Sequence, residues 1–508
     1  MTAGMGAELL ALRCDAVADF EATALRDVLE YFDPDLVYVA RDRSDIRVVS
    51  RIRRAFDGPV VFAGGSADVR TETVAGVSFA FSGTASLLED LNRIEAAPDG
   101  SVDPSNADFV VCDDLRPTTD AVALSASLDG CDVIARYQSR ADSPTTFLTG
   151  ALEASYDHVW AATVGGDPVR LPVRGVAPLR RSGGPELACL TCDREGSVSV
   201  SSVPADRFGL QALSRVGPTT ADRLRTSGYD TRTAVAEATE AELRSVEGIG
   251  ASTARDIAHS ARSLTESRVI RPTDEPIPPA SQGATPVFVD IETDGLQPTV
   301  LWLIGVYDPV DDAYVDFVDT EPTRDDPGAA TRKFVSWLAA EYESPSLVAW
   351  NGHAFDYPHL ERFISRYAPE YREYWAENVS TYDLYDWAVR RDNAVLPGRT
   401  NRLEAVADAL GRDRSGPAAA LDGKSLAERI RRLLEETGTP ATGPDDDRDA
   451  AVPSIDWDAA RTYCEADVRE LAAVYDAIEN APVETTGNAG DPGRSPSDGT
   501  TQTGLADF

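Results

Sequence analysis

Lysine is almost missing from this 508-residue chain: Lys333 and Lys424 are the only two. The other basic residues are arginines, and Lys+Arg together reach 48 against 85 Asp+Glu, a formal net charge of −37. Self-repulsion at that charge disfavours a compact state in dilute buffer. At about 1 M salt, where the Debye length is about 3 Å, the repulsion is largely screened. The composition therefore points to the salt-filled cytoplasm of a halophile. It leaves nucleic acid open as a partner, because local basic patches decide that. Histidine is scarce as well, with four in the chain, which argues against a His-rich zinc site. The six cysteines lie scattered at 14, 112, 131, 189, 192 and 464, which suits a reducing cytoplasm rather than a disulfide framework. Cys189 and Cys192 form a lone C-x-x-C with no second pair, and are read as structural. No apolar run reaches the length of about eighteen residues that a membrane span needs. The opening MTAGMGAELL lacks a basic region followed by an apolar stretch, so no secretory leader is expected.

What is present is globular material, 42% hydrophobic, long enough for about three domains. Residues 1–205 alternate strand-like runs (LLALRC, LVYVA, PVVFAGG) with helical patterns (FEATALRDVLEYF, DIRVVSRIRRAF), which predicts an α/β domain with a partly parallel sheet. It carries no catalytic motif, and its role is not legible. Residues 208–268 contain a repeat of the form apolar-Gly-x-x-x-Ala-x-x-apolar. It runs from Val216 and Gly217 to Leu224, then again from Ile249 and Gly250 to Ile257. Each copy opens a helix after a tight turn. Residues 269–285 are Pro-rich and read as a linker. Residues 286–480 again alternate strands and helices, and 481–508, rich in Gly, Pro, Ser, Thr and Asp, read as a disordered tail.

The chemistry concentrates in 286–480. In Val287-Phe288-Val289-Asp290-Ile291-Glu292 the period of two puts Phe288, Asp290 and Glu292 on one side of a strand. Two neighbouring acids at the end of a buried strand are costly unless a cation or partner neutralises them. A second element, Leu347 to Asp356, is a buried strand that ends at Asn351-Gly352, turns, and enters a helix with Asp356 in its first turn. A third, Tyr463-Cys464-Glu465-Ala466-Asp467, lies in the helical stretch Trp457–Ile478, with Tyr463 and Asp467 on one face.

In order, spacing and context these three elements resemble the DEDD superfamily of 3′–5′ exonucleases, which have an RNase H-like fold. They look closest to the YprB-like group of predicted exonucleases, judged from DIETDGL, LIGVYD, AWNGHAFDYPHL and YCEADV. The resemblance implies that Asp290, Glu292, Asp356 and Asp467 bind two Mg²⁺ or Mn²⁺ ions, and that Tyr463 orients the attacking water. A phenol of pKa about 10 is a poor base at neutral pH, so orientation suits it better. It implies further that Asn351 and Phe355 shape the turn and a base-stacking wall and that Thr293 contacts the terminal nucleotide. For Asn351, a turn role is an equal alternative. Asp383 falls where the family often has an acid.

The paired glycine turns look like a tandem helix-hairpin-helix module. There Gly217, Gly248 and Gly250 let the backbone approach a phosphate and the next helix's N–H groups point at it. Arg223, Arg225 and Arg255 add charge. The alternative is a protein–protein module. Gly423-Lys424-Ser425 lacks the first glycine of a phosphate loop and a preceding strand, and is set aside. The expected whole is an α/β protein: an N-terminal domain, a small all-α module, then an RNase H-like exonuclease acting on nucleic acid, DNA ahead of RNA, in repair or end processing. Its alternatives are an RNA exonuclease and an inactive nucleic-acid-binding scaffold.

Overall fold

The computed structural model describes residues 6–18, 20–40, 46–61, 69–89, 106–120, 125–178, 180–181, 184–194, 196–412, 414, 423–437 and 455–484. The chain divides into two compact units between Thr231 and Arg232.

The first unit runs β1 (Gly6–Arg13), α1 (Ala22–Phe32), β2 (Leu36–Ala40), α2 (Ile46–Ala55), β3 (Val60–Val61), β4 (Arg70–Val74), β5 (Val77–Ser82), β6 (Phe109–Cys112), β7 (Pro117–Asp120), β8 (Ser125–Leu128), α3 (Cys131–Gln138), β9 (Thr146–Glu153), β10 (Asp157–Val164), β11 (Asp167–Ala177), β12 (Arg180–Arg181), β13 (Gly184–Asp193), β14 (Val198–Pro204) and α4 (Pro218–Thr226). One sheet has the order β12-β13-β1-β2-β3 with β14 on β13; another has β10-β11-β9-β6-β5-β4. β1, β2 and β3 are parallel, as the strand–helix alternation predicts. Leu9, Tyr38, Phe79, Phe109 and Leu190 pack between the sheets. Leu10, Val37 and Leu187 on the outer face of the first sheet meet Leu25, Val28 and Ile52 of α1 and α2. Val110 and Phe147 on the outer face of the second meet Ile134 of α3. β1 and β2 are thus buried on both faces, which is why LLAL and LVYVA read as continuous apolar runs. Cys189 and Cys192 lie on opposite faces of β13, one in each of those cores, and do not form a common site. Beyond Pro204 the chain stays with this unit. Phe208 packs on Tyr31 and Phe32, and the Gly209 amide donates to Asp27 at 2.8 Å. The division therefore falls inside the segment expected as one helical module.

The second unit runs α5 (Arg232–Glu237), α6 (Glu240–Ser245), α7 (Ala251–Glu266), β15 (Pro286–Thr293), β16 (Leu301–Asp308), β17 (Ala313–Val318), α8 (Ala329–Glu341), β18 (Ser346–Ala349), α9 (Asp356–Tyr367), α10 (Arg372–Asn378), β19 (Ser380–Asp383), a π-helical turn (Asp386–Arg390), α11 (Leu403–Ala409), α12 (Gly423–Thr437) and α13 (Trp457–Glu479). The sheet order is β17-β16-β15-β18-β19, with β15 at the centre, antiparallel to β16 and parallel to β18. Val287, Val289 and Ile291 pack with α8, α9 and α10 on one face. Phe288 packs with α11 and α13 on the other, and α12 joins that layer through Leu426 and Ile430.

Two segments differ from expectation. The Pro-rich stretch 269–285 is tied to the domain. Ile270 and Val395 exchange backbone hydrogen bonds at 3.0 and 2.8 Å, and Val269 and Ile277 are buried. Its composition is that of a linker, but its few aliphatic side chains fill the core below β15. The start of the expected tail is also ordered. Val483 bridges Arg271, and Glu484 pairs with Arg262 at 2.6 Å and Arg268 at 2.9 Å. Residues 485–508 lie outside the described residues. Among the described residues no helix is long and apolar enough to cross a membrane.

Candidate metal centre

Asp290 and Glu292 leave β15 on the side of Phe288, whose ring meets Tyr475 of α13 edge-on at 5.6 Å. The residue across from Asp290 on β16 is Gly305. A Cβ there would come within 2.5 Å of Cys464 Sγ, so the bare backbone is what lets α13 lie close to the strand. Cys464 Sγ in turn sits 4.0 Å from Asp290 Oδ2. Asp467, less than one turn further along α13, completes the group. One carboxylate oxygen each from Asp290, Glu292 and Asp467 lie within 4.8 Å of one another.

Asp356 enters from the N-terminus of α9 and is buried. It stands outside the tight trio, but its charge raises the pKa of both Asp290 and Glu292. Burial pushes Asp356 itself up to about 7, and the charge of Asp383 adds to this. Hydrogen bonds from its own and the Ile291 backbone amides act the other way. Asp290, Glu292 and Asp467 are raised well above the carboxylate range, first by burial and then by a neighbouring acid: Asp356 acts on Asp290, and Asp290 acts on Glu292 and Asp467.

Asp383, at the end of β19, does not join the trio. It accepts the backbone N–H of Asn351 at 3.0 Å, His353 at 3.1 Å and Asp386 at 3.0 Å. Its work is to hold the turn that delivers Asp356. Asn351 takes a left-handed conformation in that turn (φ 61°), is buried, and accepts Arg390 on its side-chain oxygen at 2.8 Å. Of its two expected roles the structure shows the turn. Thr293 is buried and its hydroxyl donates to Gly295 O at 3.0 Å, again a turn bond. Phe355 is half-buried at the mouth of α9, edge-on to His359 at 4.7 Å. Tyr463 is buried, and its hydroxyl donates to Glu404 Oε1 at 3.4 Å. Burial and the charge of Asp467 push its pKa up, so the phenol keeps its proton.

Two residues at this site carried no signal in the sequence. The Arg414 guanidinium pairs with Glu470 at 2.6 and 2.7 Å and with Asp467, and stands 3.8 Å from Glu404. It also lies over the Tyr463 ring, 5.0 Å from its centre. Arg414 lowers the pKa of Asp290, Glu292 and Asp467 but does not bring any of them back to the ordinary range. Gly423, from the segment set aside as no phosphate loop, opens α12 against the acids. A Cβ there would lie 3.5 Å from Tyr463 Oη and 3.9 Å from Glu292 Oε2.

The three groups that converge are all carboxylates, and more negative charge is buried than one arginine offsets. That is the chemistry of a site for a hard divalent cation. Such an ion fits Asp290, Glu292 and Asp467, with Asp356 at its border.

The repeated glycine turns have matching geometry. Val216 N donates to Leu213 O at 3.1 Å and Ile249 N to Val246 O at 3.1 Å. The left-handed position in the first turn is Arg215 (φ 65°) and in the second Gly248 (φ 81°). Gly217 and Gly250 precede α4 and α7, and a Cβ on either would meet open space. Ala221 with Leu224, and Ala254 with Ile257, are the buried positions of the repeat. Arg225 pairs with Asp222 at 2.7 Å and Arg255 lies 3.9 Å from Glu240, so two of the three local arginines already have acidic partners.

These two features define the class: the chain carries an RNase H-like superfamily domain, whose family model matches residues 287–479, and a SAM-like helix-hairpin-helix tandem, matched over 209–263. Among individual proteins, it is 46% identical over 57 residues to the DNA repair and recombination protein RadA of Haloferax volcanii, a match covering 11% of this chain and 17% of that protein. It is similar to the zinc-bound E. coli ExoI–ssDNA complex (20% identity, TM-score 0.21, 28% of this chain and 40% of that one). It is also similar to the family B DNA polymerase of Pyrobaculum calidifontis (13% identity, TM-score 0.25, 59% and 44%). The chain thus spans under half the length of each of these proteins.

Proposed function

We propose that residues 286–480 are a metal-dependent 3′–5′ exonuclease of the DEDD type, and that the chain acts on DNA in repair or end processing. The convergence of Asp290, Glu292 and Asp467 from a strand and a helix far apart in sequence supports this most strongly. An inactive scaffold would have no need to bury that much uncompensated charge.

In this account Asp290, Glu292, Asp356 and Asp467 hold two divalent cations, which when bound supply Lewis-acid stabilisation and lower the pKa of a bound water. Tyr463 keeps its proton and orients the attacking water by hydrogen bonding. Water adds to phosphorus, the bond to the 3′ oxygen of the preceding nucleotide breaks, and a nucleoside monophosphate leaves. Asp383 fixes the turn that carries Asp356. Phe355 walls the terminal base. The amides of Thr219 and Thr220 at the start of α4, and of Ala251, Ser252 and Thr253 at the start of α7, hold backbone phosphates without reading sequence, with Gly217, Gly248 and Gly250 letting the backbone come close. Backbone donors suit molar salt, where counterion release drives little binding.

The test uses 3′- and 5′-labelled single-stranded DNA, duplex DNA and RNA with the full chain in molar KCl and Mg²⁺ or Mn²⁺. Mononucleotides released first from the 3′ label on DNA are expected. Release from RNA alone would make it an RNA exonuclease, and no release from any substrate would overturn the enzyme assignment.

A further inference from the structure

A second site lies on the nuclease domain, away from the acids. A cavity of about 470 Å³ opens between the loop at Pro298-Thr299, the loop at Arg324–Pro327 and the outer side of α9. Three arginines line it: Arg324, Arg362 and Arg366. In a chain with 85 acidic residues against 48 basic ones, three guanidinium groups in one cavity would ordinarily be matched by carboxylates. Among the described residues none of the three forms an ion pair, although Asp326 nearby pairs with Arg332. Two are held in place by the fold. Arg362 donates to Pro298 O at 2.8 Å and lies 5.1 Å from the centre of the Phe363 ring, and Arg366 lies 5.1 Å from that of Tyr367. Aromatic faces fix guanidinium planes and leave their N–H edges for an oxyanion.

The cavity and the metal centre lie at the same end of the strands. Thr293, next to Glu292, pairs with Leu301, and Leu303 pairs with Val318. The end of β15, the start of β16 and the end of β17 therefore lie together, and the loops that line the cavity leave from there. α9 joins the two sites directly: Asp356 is its first residue, and Arg362 and Arg366 follow, about 9 and 15 Å along the axis at 1.5 Å per residue. That is the reach of a few nucleotides of an extended strand.

We infer that this arginine cavity holds the backbone phosphates of a single-stranded nucleic acid, a few nucleotides from the end that enters the metal centre. The assignment rests on the nuclease function proposed above.

Arg324 and Arg366 are exposed, so Arg324→Gln with Arg366→Gln should leave the fold intact; an unchanged melting temperature checks this. Fluorescence anisotropy of a fluorescein-labelled oligothymidylate on the full chain is measured from half-molar to molar KCl, with inorganic phosphate and thymidine monophosphate as competitors. The double variant is expected to bind about tenfold more weakly or worse. Its slope of log K against log salt should fall by about 1.4, at about 0.7 per single-strand phosphate contact. Equal affinity and equal slope in the variant would overturn the proposal. So would displacement of the oligonucleotide by thymidine monophosphate or phosphate at equal phosphate concentration, which would make this a site for a small anion. A wild-type chain that binds through these arginines but hydrolyses nothing would sink the nuclease function and leave this site standing. Hydrolysis with arginine-independent binding would do the reverse.

Discussion

Asp290→Asn is expected to slow nucleotide release by about 10³-fold or more while making the metal-free protein more stable. The rate estimate follows from what a bound divalent ion contributes, several kcal/mol of transition-state stabilisation, with each 1.36 kcal/mol a factor of ten. The stability gain follows from the same geometry read without the ion. Asp290 is raised by burial and by Asp356, so ionising it in the folded state is unfavourable. Asparagine keeps the shape and removes the charge. The effect has a definite pH sign. A carboxyl whose pKa is higher in the folded than in the unfolded state binds more protons when folded, so stability is full below about pH 4 and falls as pH rises. For Asp356 the fall runs up to about pH 7. Melting curves in molar KCl and EDTA should therefore show wild type losing stability between pH 4 and 8. Asp356→Asn should flatten that slope, and Mg²⁺ should restore the wild type most at the upper end. A wild-type chain whose melting temperature ignores both pH and Mg²⁺ over this range would contradict the account.

Arg414→Gln should act in the opposite direction on stability. Its guanidinium is the cation that pairs with Asp467 and Glu470 and lowers the pKa of three of the four acids. Removing one partner of a buried pair typically costs about 3–5 kcal/mol, because the other charge is left uncompensated. For a domain of this size each kcal/mol moves the melting temperature by about 2–4 °C, so a fall of about 6–20 °C is expected in metal-free buffer. The fall should be larger at pH 8 than at pH 4, where the acids are protonated, and saturating Mg²⁺ should recover part of it. A variant that melts within about 2 °C of wild type at pH 8, with or without Mg²⁺, would mean that Arg414 does not act as the internal counter-ion.

The acids were legible because a strand has a period of two. Phe288, Asp290 and Glu292 share a side in the sequence and in the structure, with Val287, Val289 and Ile291 opposite. The turn after β18 was legible through Asn351-Gly352, and the structure adds the partner that holds Asn351 there, Arg390. Arg414 was not legible. It lies between α11 and α12, where the sequence has no periodicity to aim it, and it reaches a partner 53 residues on. Gly423 was weighed for the wrong chemistry: it resembles part of a phosphate loop, whereas its lack of a side chain leaves room beside Tyr463 and Glu292. The segment 269–285 was misjudged because prolines dominate its composition, while a few buried aliphatic residues decide its position. In the first unit periodicity marked β1 to β3, α1 and α2, yet β4 to β9 and α3 went unread, and the layering of two sheets comes from long-range pairing such as β1 with β13.

The most direct test is anomalous diffraction at the manganese edge from crystals of the protein grown or soaked in Mn²⁺. Manganese is expected among the carboxylate oxygens of Asp290, Glu292 and Asp467, with Asp356 bordering it, and should vanish in Asp290→Asn crystals. Strong manganese peaks elsewhere, with none between these acids, would contradict the account.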